Sequence, residues 1–426
     1  MSQTASPSPV KKSEIFGWCC FDFANSAFTT VIITAVYFVY FKNVVMGGAA
    51  EASAWWGWAL AVSQLGAILV SPLIGAMADV TARKKTYLLG SAVMCSLATA
   101  SLYFVGAGEP LLALVLVVVA NFCFALSENL CAGFLPEIST PETAGRISGY
   151  GWSFGYFGGL LSLVLALLVI DFGKAPERTP WTFVMTGAFF IAASLPTLIL
   201  VRERAVPRAL PPGETLLKAA WGANLKSLHE LPKFRTLALF FVSLMFSTAG
   251  LVAVVAFAGG YADDVLKMGQ QEFIALLVVL QLSGVAGAAG FGFLQDRAGS
   301  KFAMSLSLVL WIIVCVWAAY CGGKKEFYMI GALAGIAMGA LQSAGRAVVS
   351  TLTPEGRSGE FFGFWGFFTK LAGVIGQPVF GEMATAFGFR TAILANAGFF
   401  VVGLLILLPL SLKPVAKPTG PALVVE

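Results

Sequence analysis

Gly75-Ala-Met-Ala-Asp79-Val-Thr-Ala-Arg83-Lys84-Lys85 decides the fold, because it occurs twice. The second copy, Gly292-Phe-Leu-Gln-Asp296-Arg297-Ala-Gly299-Ser-Lys301, again places a glycine four residues before an aspartate and follows it with basic residues between two apolar stretches. Gln64 and Gln281 precede the two copies at equal distance, so glutamine, glycine and aspartate all repeat with an offset of 217 residues. In a chain of 426 residues an offset of that size marks a duplicated half.

The surroundings of the repeat define the class. The chain is 58% hydrophobic and 12% charged, whereas about a quarter of a soluble domain is charged. This composition excludes a soluble globule and implies a polytopic membrane protein. The net charge of +5 comes from residues lying between apolar runs, where they orient helices, so no nucleic-acid partner is expected. The seven cysteines lie within or at the edges of apolar segments without metal-ligand spacing, which predicts neither disulfide nor metal. Lys11 and Lys12 before the first apolar run mimic a signal peptide. That run is too long and lacks an Ala-x-Ala site, and is read as a retained first span.

Crossing about 30 Å of hydrocarbon takes roughly 20 residues of helix. Twelve apolar runs qualify, at 15–41, 55–78, 86–107, 110–135, 147–170, 181–201, 236–261, 271–294, 302–321, 327–350, 361–387 and 390–412. The predicted fold is an all-α polytopic membrane protein, with a six-helix bundle over 15–201 and a second over 236–412. Residues 1–14 and 413–426 are tails, and residues 202–235 are a basic linker. Of the 27 Lys and Arg residues, 18 fall on the face that carries both tails, the linker and both copies of the repeat, and 7 on the other. The positive-inside rule therefore makes the first face cytoplasmic. A second loop repeat agrees: Pro141-Glu142-Thr-Ala-Gly145-Arg146 follows span four, and Pro354-Glu355-Gly356-Arg357 follows span ten.

In the linker, Leu216, Leu217, Ala220, Trp221, Leu225 and Leu228 recur at helical spacing, as in an interfacial amphipathic helix; a disordered linker is the alternative. His229 just beyond reads as a solvated residue, and residues 1–10 and 413–426 read as disordered tails.

Charges inside spans are costly and are functional suspects by default. There are few here, and the suspects are Asp22, Glu128, Arg346 and Lys370. Asp22 begins a polar stripe with Asn25, Ser26, Thr29 and Thr30, whose bland reading is helix–helix hydrogen bonding. Glu128 shares a helical face with Asn121 and adjoins Asn129. A carboxyl buried in low dielectric holds a proton more readily, so Asp22 and Glu128 are the candidate proton-coupling groups. A fixed salt bridge from Glu128 to Arg346 or Lys370 is the competing reading. Gln342 lies one turn from Arg346, whose fork suits a substrate carboxylate or Glu128, and Gln377 lies two turns from Lys370. The acids belong to the first half and the bases to the second. A cleft between the halves suits a zwitterion, and equally suits a structural ion-pair network. The candidate binding residues are thus Asp22, Asn25, Asn121, Glu128, Asn129, Gln342, Arg346, Lys370 and Gln377. Gly75, Asp79, Arg83, Gly292, Asp296 and Arg297 are candidates for a gate in which Asp79 and Asp296 help latch the cytoplasmic side, with Asp79 placed to meet the positive N-terminal end of a neighbouring helix such as span eleven.

The duplicated Gly-x-x-x-Asp loop resembles the signature loop of the major facilitator superfamily, along the whole chain. Asp22-Phe23-Ala24-Asn25-Ser26-Ala27, Gln342 to Arg346, and Glu360-Phe361-Phe362-Gly363 with Lys370 resemble the branch related to the autophagy-associated vacuolar amino-acid effluxers, which has many bacterial members. Cys131-Ala132 stands where that branch carries an aromatic–Asn pair, and Gly345 where it carries Ser. The glycines of span five partly resemble the superfamily's antiporter motif, with Tyr156 in place of its proline. The resemblance implies twelve transmembrane helices in two pseudo-symmetric bundles and alternating access. It also implies export, rather than uptake, of an amino-acid-like solute, with a proton or other ion as coupling partner. The alternatives are a non-transporting sensor or scaffold and a carrier of organic anions. No cofactor is expected, since no nucleotide-binding glycine loop is present. The expected state is a monomer in contact with membrane lipids, most simply in a bacterial inner membrane.

Overall fold

The structure, a computed structural model, describes residues 9–49, 51–171, 174–207, 215–222 and 234–412. Twelve long helices cross the molecule among these residues. The first six are α1 (Lys12–Ala27), α2 (Ala52–Thr81), α3 (Lys84–Ser101), α4 (Pro110–Ala132), α5 (Ala144–Val169) and α6 (Thr179–Leu200). The second six are α7 (Arg235–Asp264), α8 (Gln270–Ala298), α9 (Ser300–Ala319), α10 (Lys324–Leu352), α11 (Ser358–Phe387) and α12 (Phe389–Leu407). Wider π-type turns at Phe28–Ala35 and Phe41–Val45 prolong α1, so the first span covers Lys12–Val45 rather than 15–41.

Eleven of the helices are long and apolar enough to cross a membrane. The twelfth, α11, has 30 residues, a length of about 45 Å. Its deficit is in apolarity, because Lys370, Gln377 and Glu382 and a series of glycines replace larger apolar residues. A spanning helix can carry such residues when they face protein or a water-filled cavity instead of lipid.

Each half has its own core. Trp18, Phe21, Phe28, Tyr37, Phe134 and Phe183 anchor the first. Phe240, Tyr261, Trp311, Phe327 and Phe400 anchor the second, where Trp311 and Phe400 stack with ring centroids 5.1 Å apart. The halves meet chiefly where α5 packs on α8 and α2 packs on α11, with α10 also against α5. The offset of 217 residues extends to the backbone: Ala82 (φ 52) and Gly299 (φ 89) make the turns after α2 and α8.

One expectation about the periphery changes. Val10, read as part of a disordered tail, is 1% exposed and belongs to the first core. In the linker, residues 216–222 are helical with Leu217 and Trp221 exposed and Ala220 buried. Leu225, Leu228, His229, residues 1–8 and residues 413–426 lie outside the described residues.

Candidate functional site

A cavity of about 220 Å³ lies between the halves, lined from α2, α4, α5, α7, α10 and α11. Glu128 and Lys370 face each other in it, with carboxylate and ammonium 3.2 Å apart and each side chain 20% accessible. Gln64, Gln342, Gln377, Thr248 and Thr369 add neutral hydrogen-bonding groups, and Trp152 and Trp365 add flat apolar walls. Of the two partners open to Glu128 from sequence, Lys370 is therefore the one it meets.

Arg346 also lines the cavity but is otherwise engaged. Its Nη1 lies 2.7 Å from Asp22 Oδ2, in a pair with both side chains under 10% accessible. Its Nε donates to Ser148 Oγ at 3.2 Å and its Nη2 to the Ser148 carbonyl at 3.0 Å. The guanidinium sits over the rings of Trp18 and Trp152, with centroids at 4.6 and 5.2 Å. Trp18 is fixed in turn by its Nε1–H, which donates to the Cys131 carbonyl at 2.8 Å. A charge with no means of deprotonation is thus held by an anion, two oxygens of α5 and two aromatic faces. The acids and bases of the two halves form two cross-bundle pairs, and the charged quartet sums to zero.

Gly151 makes the first pair sterically possible. A Cβ there would overlap both Asp22 Oδ2 and Arg346 Nη2. Gly151→Ala is expected to push the pair apart and to lower stability by about 1–3 kcal/mol, as overpacking of a tight interior does. Thermal unfolding in detergent micelles checks this.

The asparagines predicted alongside these charges go elsewhere. Asn121 donates to Ser63 Oγ at 2.6 Å and Asn129 to Ser71 Oγ at 3.1 Å, so both join α4 to α2 within the first bundle. Asn25 is buried on α1 and is not among the cavity-lining residues. The hydroxyls of the α1 stripe turn inward on their own helix, with Ser26 Oγ donating to the Asp22 carbonyl and Thr29 Oγ1 to the Ser26 carbonyl.

At the end of the molecule that carries the repeated loops, here termed the basic end, the two aspartates make equivalent contacts. Asp79 accepts the N–H groups of Gly359 and Glu360 at 3.0 and 2.9 Å, in the first turn of α11. Asp296 accepts those of Gly145 and Arg146 at 2.8 and 3.1 Å, in the first turn of α5. Each carboxylate thus meets the unsatisfied donors and the positive dipole end of a helix from the other half. The glycines set the approach. A Cβ on Gly75 would overlap the Gly359 carbonyl, and one on Gly292 would come within 2.6 Å of the Gly145 carbonyl. Arg83 and Arg297 are exposed beside these contacts.

The two contacts differ in what surrounds them. Lys84, buried to 2% exposure, lies 3.3 Å from Asp79 and also bonds Glu137 and the Ser358 hydroxyl. Its counterpart at the repeat offset, Lys301, is exposed. Arg146 Nε approaches Asp296 at 3.7 Å from a side chain 44% accessible.

Several of these residues carry weak signals in the sequence. Lys84 is one of three consecutive basic residues that read as topogenic charge. Glu137 carries no signal of its own in the sequence. Trp18, Ser148 and Trp152 are types common in any membrane helix. Tyr156, whose hydroxyl donates to Gln342 Oε1 at 2.6 Å between α5 and α10, drew notice only as a departure from a motif.

Comparisons with known proteins place this architecture. A family described as "Vacuole effluxer Atg22 like" matches residues 10–416. An uncharacterized MFS-type transporter of Bacillus subtilis, YxiO, is 26% identical over 403 residues, covering 92% of this chain and 93% of that protein. Autophagy-related protein 22 of Kluyveromyces lactis is 21% identical over 291 residues, covering 63% of this chain and 58% of that protein. Among solved structures, the human organic anion transporter MFSD10 superposes with a TM-score of 0.76 at 14% identity, covering 93% of this chain and 99% of that one. The proton:xylose symporter XylE gives 0.73 at 14% identity, covering 93% and 95%. These two likenesses, at such low identity, concern the fold alone. By the match over residues 10–416 the chain belongs to the Atg22-like family of major facilitator transporters, multi-pass proteins of the membrane.

Proposed function

We propose that the protein is a secondary transporter that moves a small zwitterionic, amino-acid-like solute by alternating access. The carrying observation is the Glu128–Lys370 pair lining the central cavity, 3.2 Å apart and 20% accessible on each side. A solute ammonium can replace Lys370 at Glu128 while its carboxylate takes up Lys370, so both protein charges stay compensated. A net anion would instead add an uncompensated charge in low dielectric, which is costly. The cavity volume of about 220 Å³ is below the roughly 300–1,000 Å³ of drug-sized pockets, which favours a small solute.

In this reading the basic end is cytoplasmic, and the contacts of Asp79 and Asp296 close the cavity on that side. Lys and Arg counts support the orientation. The family's description as an effluxer supports export, and a bacterial plasma membrane is the simplest setting. Glu128 is the proton-coupling group: ionised, it holds the solute ammonium, and its protonation releases the solute.

The test is transport into proteoliposomes, screening amino acids with and without a pH gradient. Wild-type protein is expected to move one or more of them faster with the gradient, and Glu128→Gln to lose the gradient dependence. Failure of every amino acid to move or to stabilise the protein would overturn the reading.

A further inference from the structure

A second cavity of about 540 Å³ opens between α1 and α5, away from the central cleft. Its two ends differ in chemistry. Toward the basic end it is bordered by Lys12 and Arg146, both exposed, with Thr143 beside them. Deeper into the membrane its walls are Phe16, Ile147, Tyr150 and Phe154. Phe16 is 50% exposed, and its ring meets that of Phe154 edge-on with centroids 5.9 Å apart. From Lys12 to Cys19 a helix rises about 10 Å, so the lining changes from cationic to apolar over roughly the thickness of a headgroup layer.

Glu14, the acid nearest Lys12 in sequence, is otherwise engaged, while Arg146 shares its charge with Asp296, 3.7 Å from its Nε. Glu14 is buried and bonded to Arg204 at 2.9 and 3.0 Å. Asp296 is occupied by the N–H groups of Gly145 and Arg146.

We propose that this groove holds an anionic phospholipid of the leaflet at the basic end, with its phosphate between Lys12 and Arg146 and its acyl chains along Phe16, Ile147, Tyr150 and Phe154. Charge complementarity selects an anionic over a zwitterionic headgroup, and the change of lining along the groove selects a lipid over a free anion. The occupant would touch a contact between the halves from its membrane side, since Arg146 approaches Asp296 and Tyr150 meets Phe293 of α8 edge-on at 5.9 Å.

The experiment is native mass spectrometry of the full chain titrated with phosphatidylglycerol or phosphatidylcholine of identical acyl chains. Phosphatidylglycerol is expected to be retained the more tightly. Each of Lys12→Gln and Arg146→Gln is expected to weaken it by roughly fivefold, the usual strength of one basic side chain at an anionic surface. Lys12→Gln leaves the Asp296 contact untouched and so separates lipid binding from closure. Equal retention of the two lipids by wild type, or undiminished phosphatidylglycerol binding in Lys12→Gln, would overturn the proposal. So would competition by glycerol phosphate at the same concentration as the intact lipid, because the acyl wall would then have no part.

Discussion

Arg346→Gln is expected to destabilise the protein by about 3–5 kcal/mol, the usual consequence of removing one partner from a buried ion pair. Asp22, 7% exposed, would be left facing a neutral amide, and the stack of Trp18 and Trp152 would lose its cation. The double replacement Asp22→Asn with Arg346→Gln removes both charges and is expected to recover most of the loss. Thermal unfolding in detergent micelles, with monodispersity checked by gel filtration, measures all three proteins. A double variant no more stable than Arg346→Gln alone would show that Asp22 is not the partner whose isolation is costly. The double variant then permits a second measurement. If it folds but fails to bind solute, the pair serves transport as well as assembly.

Asp79→Asn is expected to shift the equilibrium toward an open basic end by about 1.5–3 kcal/mol, the strength of hydrogen bonds to a charged group. An amide side chain offers one oxygen where the carboxylate offers two, so the N–H groups of Gly359 and Glu360 can no longer both be satisfied by acceptors. Lys84 also loses a partner 3.3 Å away while keeping Glu137. A shift of that size changes the open-to-closed ratio by roughly 10- to 150-fold. Distances between spin labels at the basic ends of α2 and α11 would register it. An unchanged distance distribution together with an unchanged transport rate would remove Asp79 from the gate. Asp296→Asn is expected to act in the same direction and more weakly, since its surroundings lack the buried lysine.

The fold was legible because duplication leaves a signature independent of detail. Two aspartates, two glycines and two glutamines at one offset fixed the pairing of halves, and the segregation of acids and bases pointed to a cleft between them. What the pairs would be was not legible. Asp22, Glu128, Arg346 and Lys370 lie on four helices whose rotations about their own axes are set by packing, and a helical wheel cannot say which carboxylate faces which cation. The contacts of the asparagines were not legible for a related reason. Inside a membrane Asn121 and Asn129 are as useful for tying α4 to α2 as for holding a solute, and spacing on a single helix does not separate these uses. Lys84 was hidden by company, because it stands between two other basic residues and it alone of the three is buried.

The contacts at the basic end run from side chain to main chain, and that sets how the gate responds to mutation. The aspartates present specific atoms, whereas the receiving turns offer chiefly N–H groups that almost every residue possesses, with Arg146 Nε 3.7 Å from Asp296 as the side-chain addition. A scan of substitutions should therefore find positions 79 and 296 intolerant, and positions 146 and 360 permissive toward most replacements at the level of the gate. Proline is the exception. It fits the first turn of a helix without clash but has no N–H to give, so Arg146→Pro or Glu360→Pro would unfasten the gate where Arg146→Lys or Glu360→Gln would not. Half of this closure is thus written in the backbone, and alanine scanning is blind to it.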